Sequence, residues 1–225
     1  MSDIAFAYRA EGFELSCPAL SIARGERVAV VGPSGSGKTT LLHLIAGVLV
    51  PSRGEVMIDG QVVSALSDRD RRRLRLSRMG LVFQGIELID YLSARENVLL
   101  PCRLDHRRSI DAKAKARADA LLKRVGLVGE AGRAVSSLSQ GERQRVGICR
   151  AAMAEPGLVL ADEPTASLDE ASSADALDLL MSLVEESGAT LVMLTHDKTL
   201  LPRFDRVVTV DRGIVRESAS EGVVA

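Results

Sequence analysis

The run V-A-V-V-G-P-S-G-S-G-K-T-T, residues 28–40, places glycines, hydroxyls and one lysine at a spacing suited to polyphosphate. Gly32, Gly37, Lys38 and Thr39 occupy the fixed positions of G-x-x-x-x-G-K-[ST]. Gly35 and Gly37 let the backbone curl, so that successive N–H groups face inward at phosphate oxygens. Lys38 brings a compact positive charge to the β and γ phosphates. The Thr39 hydroxyl is a hard oxygen ligand for Mg²⁺. Pro33 has no N–H to give, so the cradle is built from Ser34, Ser36 and Thr40 as well as the glycines. By itself this loop says only nucleoside triphosphate.

Five further residues extend that chemistry. In L-V-L-A-D-E-P-T, Asp162 and Glu163 close a hydrophobic run of strand length. Ligands in open α/β sheets sit beyond such strand ends. Adjacent acids in an extended chain point to opposite sides, which suits two roles. Asp162 would hold Mg²⁺, and Glu163 would orient or deprotonate the attacking water. His196, in L-T-H-D, follows the next apolar run; a lone histidine there is usually packing or surface, but the strand-end edge it shares with Glu163 would let it hydrogen-bond the γ-phosphate. Gln84, ending G-L-V-F-Q, carries an amide that reaches Mg²⁺ or the water, although a polar residue at a strand end is commonplace. Tyr8 is one of only two tyrosines in a chain without Trp. It would stack on a purine, with an edge-strand role as its rival. His43 and His106 lack such a context and read as structural or surface.

A second phosphate-binding pattern, L-S-Q-G-E-R-Q-R-V at 138–146, opens a helix with basic residues on it. A helix start offers free N–H groups and partial positive charge.

These residues need elements to hold them. Short apolar stretches in residues 1–31 read as strands. T-T-L-L-H-L-I-A-G reads as a helix stopping at Gly47. D-G at 59–60 is a tight turn, and Ser67 with Asp70 has capping-box spacing before a basic helix. L-V-L-A-D and T-L-V-M-L-T are continuous apolar runs, as in parallel strands buried on both faces. An Ala/Lys/Arg-rich helix falls near 109–125 and an amphipathic one near 170–187. The end is a hairpin around Asp211–Gly213. The layout is a single α/β domain over 1–225, with residues 1–84 and 157–225 as core and 85–156 as a helical insert.

Composition bounds the partners. With 225 residues, 46% of them hydrophobic, and a net charge of -1, the chain supports a real core but has no global field toward nucleic acid. The basic run D-R-D-R-R-R-L-R-L-S-R at 68–78 is read as a solvated helix face, because its aspartates dilute it and no aromatics are interleaved. Cys17, Cys102 and Cys149 form no C-x-x-C pair and read as small buried residues. The N-terminus lacks a secretion-signal layout, and the run 41–50 falls short of the ~20 residues a membrane helix needs. The chain is therefore expected to be cytoplasmic and peripheral.

Taken in order, G-P-S-G-S-G-K-T, V-F-Q, L-S-Q-G-E-R-Q-R-V, L-A-D-E-P-T-A-S-L-D and T-H-D resemble the nucleotide-binding subunit of ABC transporters over nearly the whole chain. The stretch after Gln84 resembles the lipoprotein-release and macrolide-export branch. The resemblance implies a P-loop NTPase of ABC type. Its core sheet would be mostly parallel, with an antiparallel β subdomain and an inserted helical subdomain. It implies ATP and Mg²⁺ as ligands, Tyr8 on adenine, and Gln84 coupling the metal site to a membrane permease. Glu163 would be catalytic base, His196 the γ-phosphate switch, and Ser167–Asp169 a loop crossing to a second subunit. Ser139 and Gly141 would close over the ATP of that second copy, giving a head-to-tail homodimer. The chain departs from the family's usual L-S-G-G-Q at Gln140 and Glu142, and Glu142 brings negative charge toward a polyphosphate. Gly147, inside the following helix, would mark close packing.

Three function classes follow: an ATPase driving a separate permease, an ABC-type ATPase of DNA repair or translation, and a cell-division ATPase acting on a membrane partner without solute transport. The second is disfavoured, because the chain has neither a long coiled coil nor a duplicated motif set. No nucleic-acid partner is expected.

Overall fold

The computed structural model describes residues 1–8, 12–83, 87–105 and 107–217. In chain order it opens with β1 (Ser2–Ala7), β2 (Glu14–Ala19), β3 (Arg27–Val31), α1 (Lys38–Ile45) and β4 (Arg53–Glu55). There follow β5 (Met57–Ile58), β6 (Gln61–Val62), α2 (Asp68–Arg78), β7 (Met79–Val82), α3 (Ala94–Val98), α4 (Leu100–Leu104) and α5 (Ala112–Arg124). The chain closes with α6 (Gln140–Ala152), β8 (Leu158–Asp162), α7 (Glu170–Ser187), β9 (Thr190–Leu194), β10 (Arg206–Asp211) and β11 (Ile214–Glu217). Two compact units result, one of Met1–Arg75 with Thr190–Ala225 and one of Leu76–Ala189.

In the first unit the strands bond in the order β4-β1-β2-β11-β10-β3-β9. The β1–β2 and β10–β11 pairs are antiparallel, while β10–β3 and β3–β9 are parallel. Val28, Val30, Leu191, Val192 and Leu194 are buried, as both-face burial of parallel strands requires. Val30 pairs with Leu194, so the phosphate loop leaving β3 and the T-H-D turn leaving β9 emerge at the same sheet edge. Helix α1 buries Leu41, Leu42, Leu44 and Ile45. It ends with Gly47 in the left-handed region at φ 62, the stop the sequence indicates.

The basic run proves only partly a solvated face. Arg69, Arg72 and Arg73 are exposed, and Arg72 pairs with Asp68 at 2.7 Å. Arg71 and Arg75 instead turn inward. Arg75 Nη1 donates to the Gly47 and Ala46 carbonyls at 2.9 and 3.3 Å. Those carbonyls end α1 and have no intrahelical partner, so a cation there also complements the helix dipole. Burial pulls the Arg75 guanidinium below its ordinary pKa. Ser67 caps α2, accepting the Asp70 N–H at 3.2 Å while its hydroxyl donates to the Asp70 carboxylate at 2.6 Å.

The second unit holds β7 and β8, parallel and in register from Met79–Leu158 to Val82–Ala161. A separate helical core of Ala94, Val98, Leu122, Val135, Val146 and Cys149 packs around α3, α5 and α6. Asp111 caps α5 through the Ala114 N–H at 2.8 Å, and Asp169 caps α7. All three cysteines are buried free thiols, and burial pushes Cys149 up to about 12. Gly147 is buried on α6. No helix among the described residues is long and apolar enough to cross a membrane.

Candidate functional site

In the first unit the phosphate loop is shaped by backbone rather than by side chains. Gly32, Gly35 and Gly37 take φ values of 155, 75 and 107. A Cβ on Gly32 would collide with the Val210 carbonyl, whereas one on Gly35 would meet open space. Gly37 stands at the N-cap of α1 without any side-chain cap, which leaves the first-turn N–H groups for a ligand. Lys38 lies nearly buried over the loop, donating to the Gly32 and Pro33 carbonyls at 2.8 and 3.1 Å. An ammonium has three protons, so one remains for an incoming anion. The buried Ser36 Oγ has no hydrogen-bond partner. A buried orphan hydroxyl beside uncapped helix donors is the signature of a missing polar ligand. The residues therefore fit a bound polyphosphate.

The loop is held from behind by the terminal hairpin. The Gly213 N–H donates to the Ser36 carbonyl at 2.9 Å, and the Gly213 carbonyl accepts from Ser16 at 2.7 Å. Sequence reading recovers this hairpin but carries no signal that it touches the loop.

Tyr8 follows β1, and its hydroxyl lies 3.3 Å from Thr40 Oγ1. Its ring meets Phe6 edge-on at 4.9 Å and Phe13 at 6.2 Å, tilted by 43°. His196 is exposed in a hydrogen-bonded turn. Thr195 Oγ1 accepts the Asp197 N–H at 3.0 Å, and the Asp197 carboxylate accepts the Thr199 N–H at 2.8 Å. Those bonds to Thr199 hold the Asp197 carboxyl below its usual range.

In the second unit β8 ends at Asp162, which is buried. Glu163 departs from the extended geometry the sequence indicates. Its φ is 43, in the left-handed region that non-glycine residues rarely enter. Such strain costs on the order of 1–3 kcal/mol and clusters at functional sites. It turns the chain at the point where β8 gives way to the loop leading to α7. Gln84 lies outside the described residues.

The signature pattern also belongs to this unit. Ser139 is the exposed N-cap of α6. Its Oγ accepts the Glu142 N–H at 3.3 Å, and the Glu142 carboxylate accepts the Ser139 N–H at 2.7 Å. Those Ser139 bonds, with Arg145 and Arg133 nearby, hold the Glu142 carboxyl below its usual range. Gln140 is the first helical residue and has no positive φ, so the usual glycine is not needed there. A Cβ on Gly141 would stand 3.1 Å from Ser172 Oγ. Ser172 in turn donates through both N–H and hydroxyl to the Asp169 cap, at 2.9 and 2.8 Å. The signature and the Ser167–Asp169 loop are thus neighbours in one chain, which spacing alone does not reveal.

Residues 87–93, shortly after Gln84, are tied to the signature helix. Arg150 donates to the Glu87 carbonyl, and Arg143 pairs with Asp90 at 2.9 Å. The fully buried Asn97 accepts the Ile89 N–H at 2.8 Å and donates to Ile89 and Ser93 carbonyls at 3.1 Å. None of Asn97, Arg143 and Arg150 stands out in the sequence.

A phosphate cradle at the start of α1 and a capped S-x-G turn on a helical unit define an ATP-binding cassette. The ABC transporter family model matches residues 15–166, and the chain belongs to that family. The lipoprotein-releasing system ATP-binding protein LolD of Xanthomonas oryzae pv. oryzae (strain MAFF 311018) is 43% identical over 204 residues, covering 91% of this chain and 83% of that protein. LolD of Hydrogenovibrio crunogenus is 46% identical over 188 residues, 84% and 81% of the two chains. Among solved structures, the dimeric post-hydrolysis state of the ATP-binding cassette MJ0796 bound to ADP and Pi superposes with TM-score 0.87. It is 35% identical and covers 98% of both chains. CbiO1 from Clostridium perfringens, part of the transporter complex cbiONQ, gives TM-score 0.79 at 29% identity, covering 96% of this chain and 85% of that one. The protein is an ABC-type ATPase.

Proposed function

We propose that this ATPase dimerises around ATP and drives a separate membrane permease in a lipoprotein-releasing system. The likeness to LolD proteins over most of the chain supports release in preference to a division-type partner. The single observation that carries the nucleotide reading is the uncapped start of α1, with Lys38 folded over the loop and Ser36 Oγ orphaned beside it.

Gly32, Pro33, Ser34, Gly35, Ser36, Gly37, Lys38, Thr39 and Thr40 bind the phosphates, and Tyr8 meets the base. The Thr39 hydroxyl, the Asp162 carboxylate and the Gln84 amide are hard oxygen donors suited to Mg²⁺, which would neutralise phosphate charge. Glu163 accepts the proton of the attacking water, and His196 senses the γ-phosphate. Ser139 and Gly141 serve the ATP of a second copy. The ATPase has its place on the inner face of the membrane, through its permease.

Calorimetry tests the nucleotide reading. Lys38→Ala removes charge-assisted bonds worth about 1.5–3 kcal/mol, so ATP affinity should fall about ten- to a hundredfold. An unchanged Kd would reject the assignment. The permease reading expects turnover to change when the chain is co-expressed with a permease bearing a large extracytoplasmic domain; indifference to it counts against that partner.

A further inference from the structure

The chain is poor in aromatics, with two Tyr, four Phe and no Trp. Three of these six, Phe6, Tyr8 and Phe13, gather in one cluster beside the phosphate loop. Tyr8 is fixed from behind by the edge of Phe6 and at its tip by Thr40, yet keeps 37% of its surface exposed. Phe13, half-buried just before β2, also lies against the loop. Its Cζ lies 2.6 Å from where a Cβ on Gly37 would stand. The Phe13 ring therefore rests on the backbone of the N-cap of α1, where the phosphate-binding N–H groups begin.

Two aromatic rings with centroids 6.2 Å apart are within contact range of each other. No base can slide between them. Tilted by 43°, they form two adjacent walls of one corner, with Gly37 at the foot of the Phe13 wall. The corner thus adjoins the N-cap of α1, where a phosphate chain would bind.

We infer that Phe13 contacts the nucleoside part of the bound nucleotide, forming with Tyr8 a two-walled aromatic corner for sugar and base. The inference rests on the nucleotide reading of the phosphate loop. It assigns a binding role to a residue with no place in the phosphate chemistry. Aromatic faces hold any base without reading its edges. The corner therefore strengthens ATP and GTP binding alike.

The test uses calorimetry on the full chain with three probes: ATP, GTP and tripolyphosphate, which has the phosphates but no sugar or base. Phe13→Ala should weaken ATP and GTP by about tenfold each, as loss of a base-stacking ring does. Tripolyphosphate should bind as before. Phe13→Leu keeps an apolar contact on Gly37 without the aromatic face, so it should show the same split, and it serves if Phe13→Ala fails to fold. Equal losses for ATP and tripolyphosphate would mean that Phe13 only props Gly37, and the inference falls. Unchanged affinity for all three probes also overturns it while leaving the nucleotide reading standing. If the wild-type chain binds none of the three, the nucleotide reading itself fails and takes the inference with it.

Discussion

Ser139 caps α6 in a reciprocal pairing with Glu142. Its Oγ is already an acceptor for the Glu142 N–H, and its own N–H is taken by the Glu142 carboxylate. Both backbone N–H groups of the cap are thereby satisfied. Glu142 thus fixes the Ser139 backbone, and its carboxylate is engaged by the Ser139 N–H at the helix start, where negative charge is favourable. The S-x-x-E spacing of a capping box is plain in the sequence; comparison with the usual L-S-G-G-Q obscures it. Glu142→Gln keeps an acceptor and should dimerise with ATP as the wild type does. Glu142→Ala should lose about 1 kcal/mol of cap stabilisation and several-fold in ATP-driven dimerisation. Light scattering distinguishes the two, and equal behaviour of Ala and Gln would show that the cap is dispensable. The carboxyl is held below its usual pKa, so its contribution is present above the ordinary carboxylate value. It fades as pH falls through the lowered one. Glu142→Gln should lack that acid limb in a melting-temperature profile.

Among elements, the closing hairpin bears most directly on the phosphate loop. Its turn was legible from D-R-G alone, as were β8, α7 and the stop of α1 at Gly47, because periodicity and caps are local signals. The bond from Gly213 to Ser36 joins residues far apart in sequence, and no local pattern encodes it. Gly213 has φ 77, and a Cβ there would collide with the Glu14 carbonyl. Gly213→Ala should therefore push the turn off both β2 and the loop, lowering the melting temperature and weakening ATP by about tenfold. Arg212 sits at φ 46 in the same turn. Arg212→Gly relieves that strain and should leave ATP affinity unchanged, so the pair separates a loop-positioning turn from general sensitivity of the hairpin. Equal ATP affinity in Gly213→Ala and wild type would free the loop from the hairpin.

At the scale of the whole molecule, the two units divide the chemistry. The phosphate loop, Tyr8 and His196 belong to one, and Asp162, Glu163, Ser139 and Gly141 to the other. The fold class was readable from the order of five motifs, but Gln84 lies outside the described residues, and sequence alone did not show that Gly141 abuts Ser172 or that Glu163 leaves its strand at positive φ. Ser139 is exposed at the N-cap of α6. On the function proposed above, a second copy supplies the phosphate that Ser139 meets, and a two-fold axis satisfies both sites at once. ATP then binds the paired state in preference to separate chains and shifts the population toward it, while hydrolysis removes the contact. Glu163→Gln keeps the side-chain shape at the strained position but cannot take the water's proton. With ATP it should run in gel filtration at twice the 24.0 kDa chain mass, and with ADP at the chain mass. Adding Ser139→Ala to Glu163→Gln should return the ATP form to the chain mass. A Glu163→Gln chain that stays monomeric with ATP while still turning it over would remove both Glu163 as base and ATP as the glue between copies.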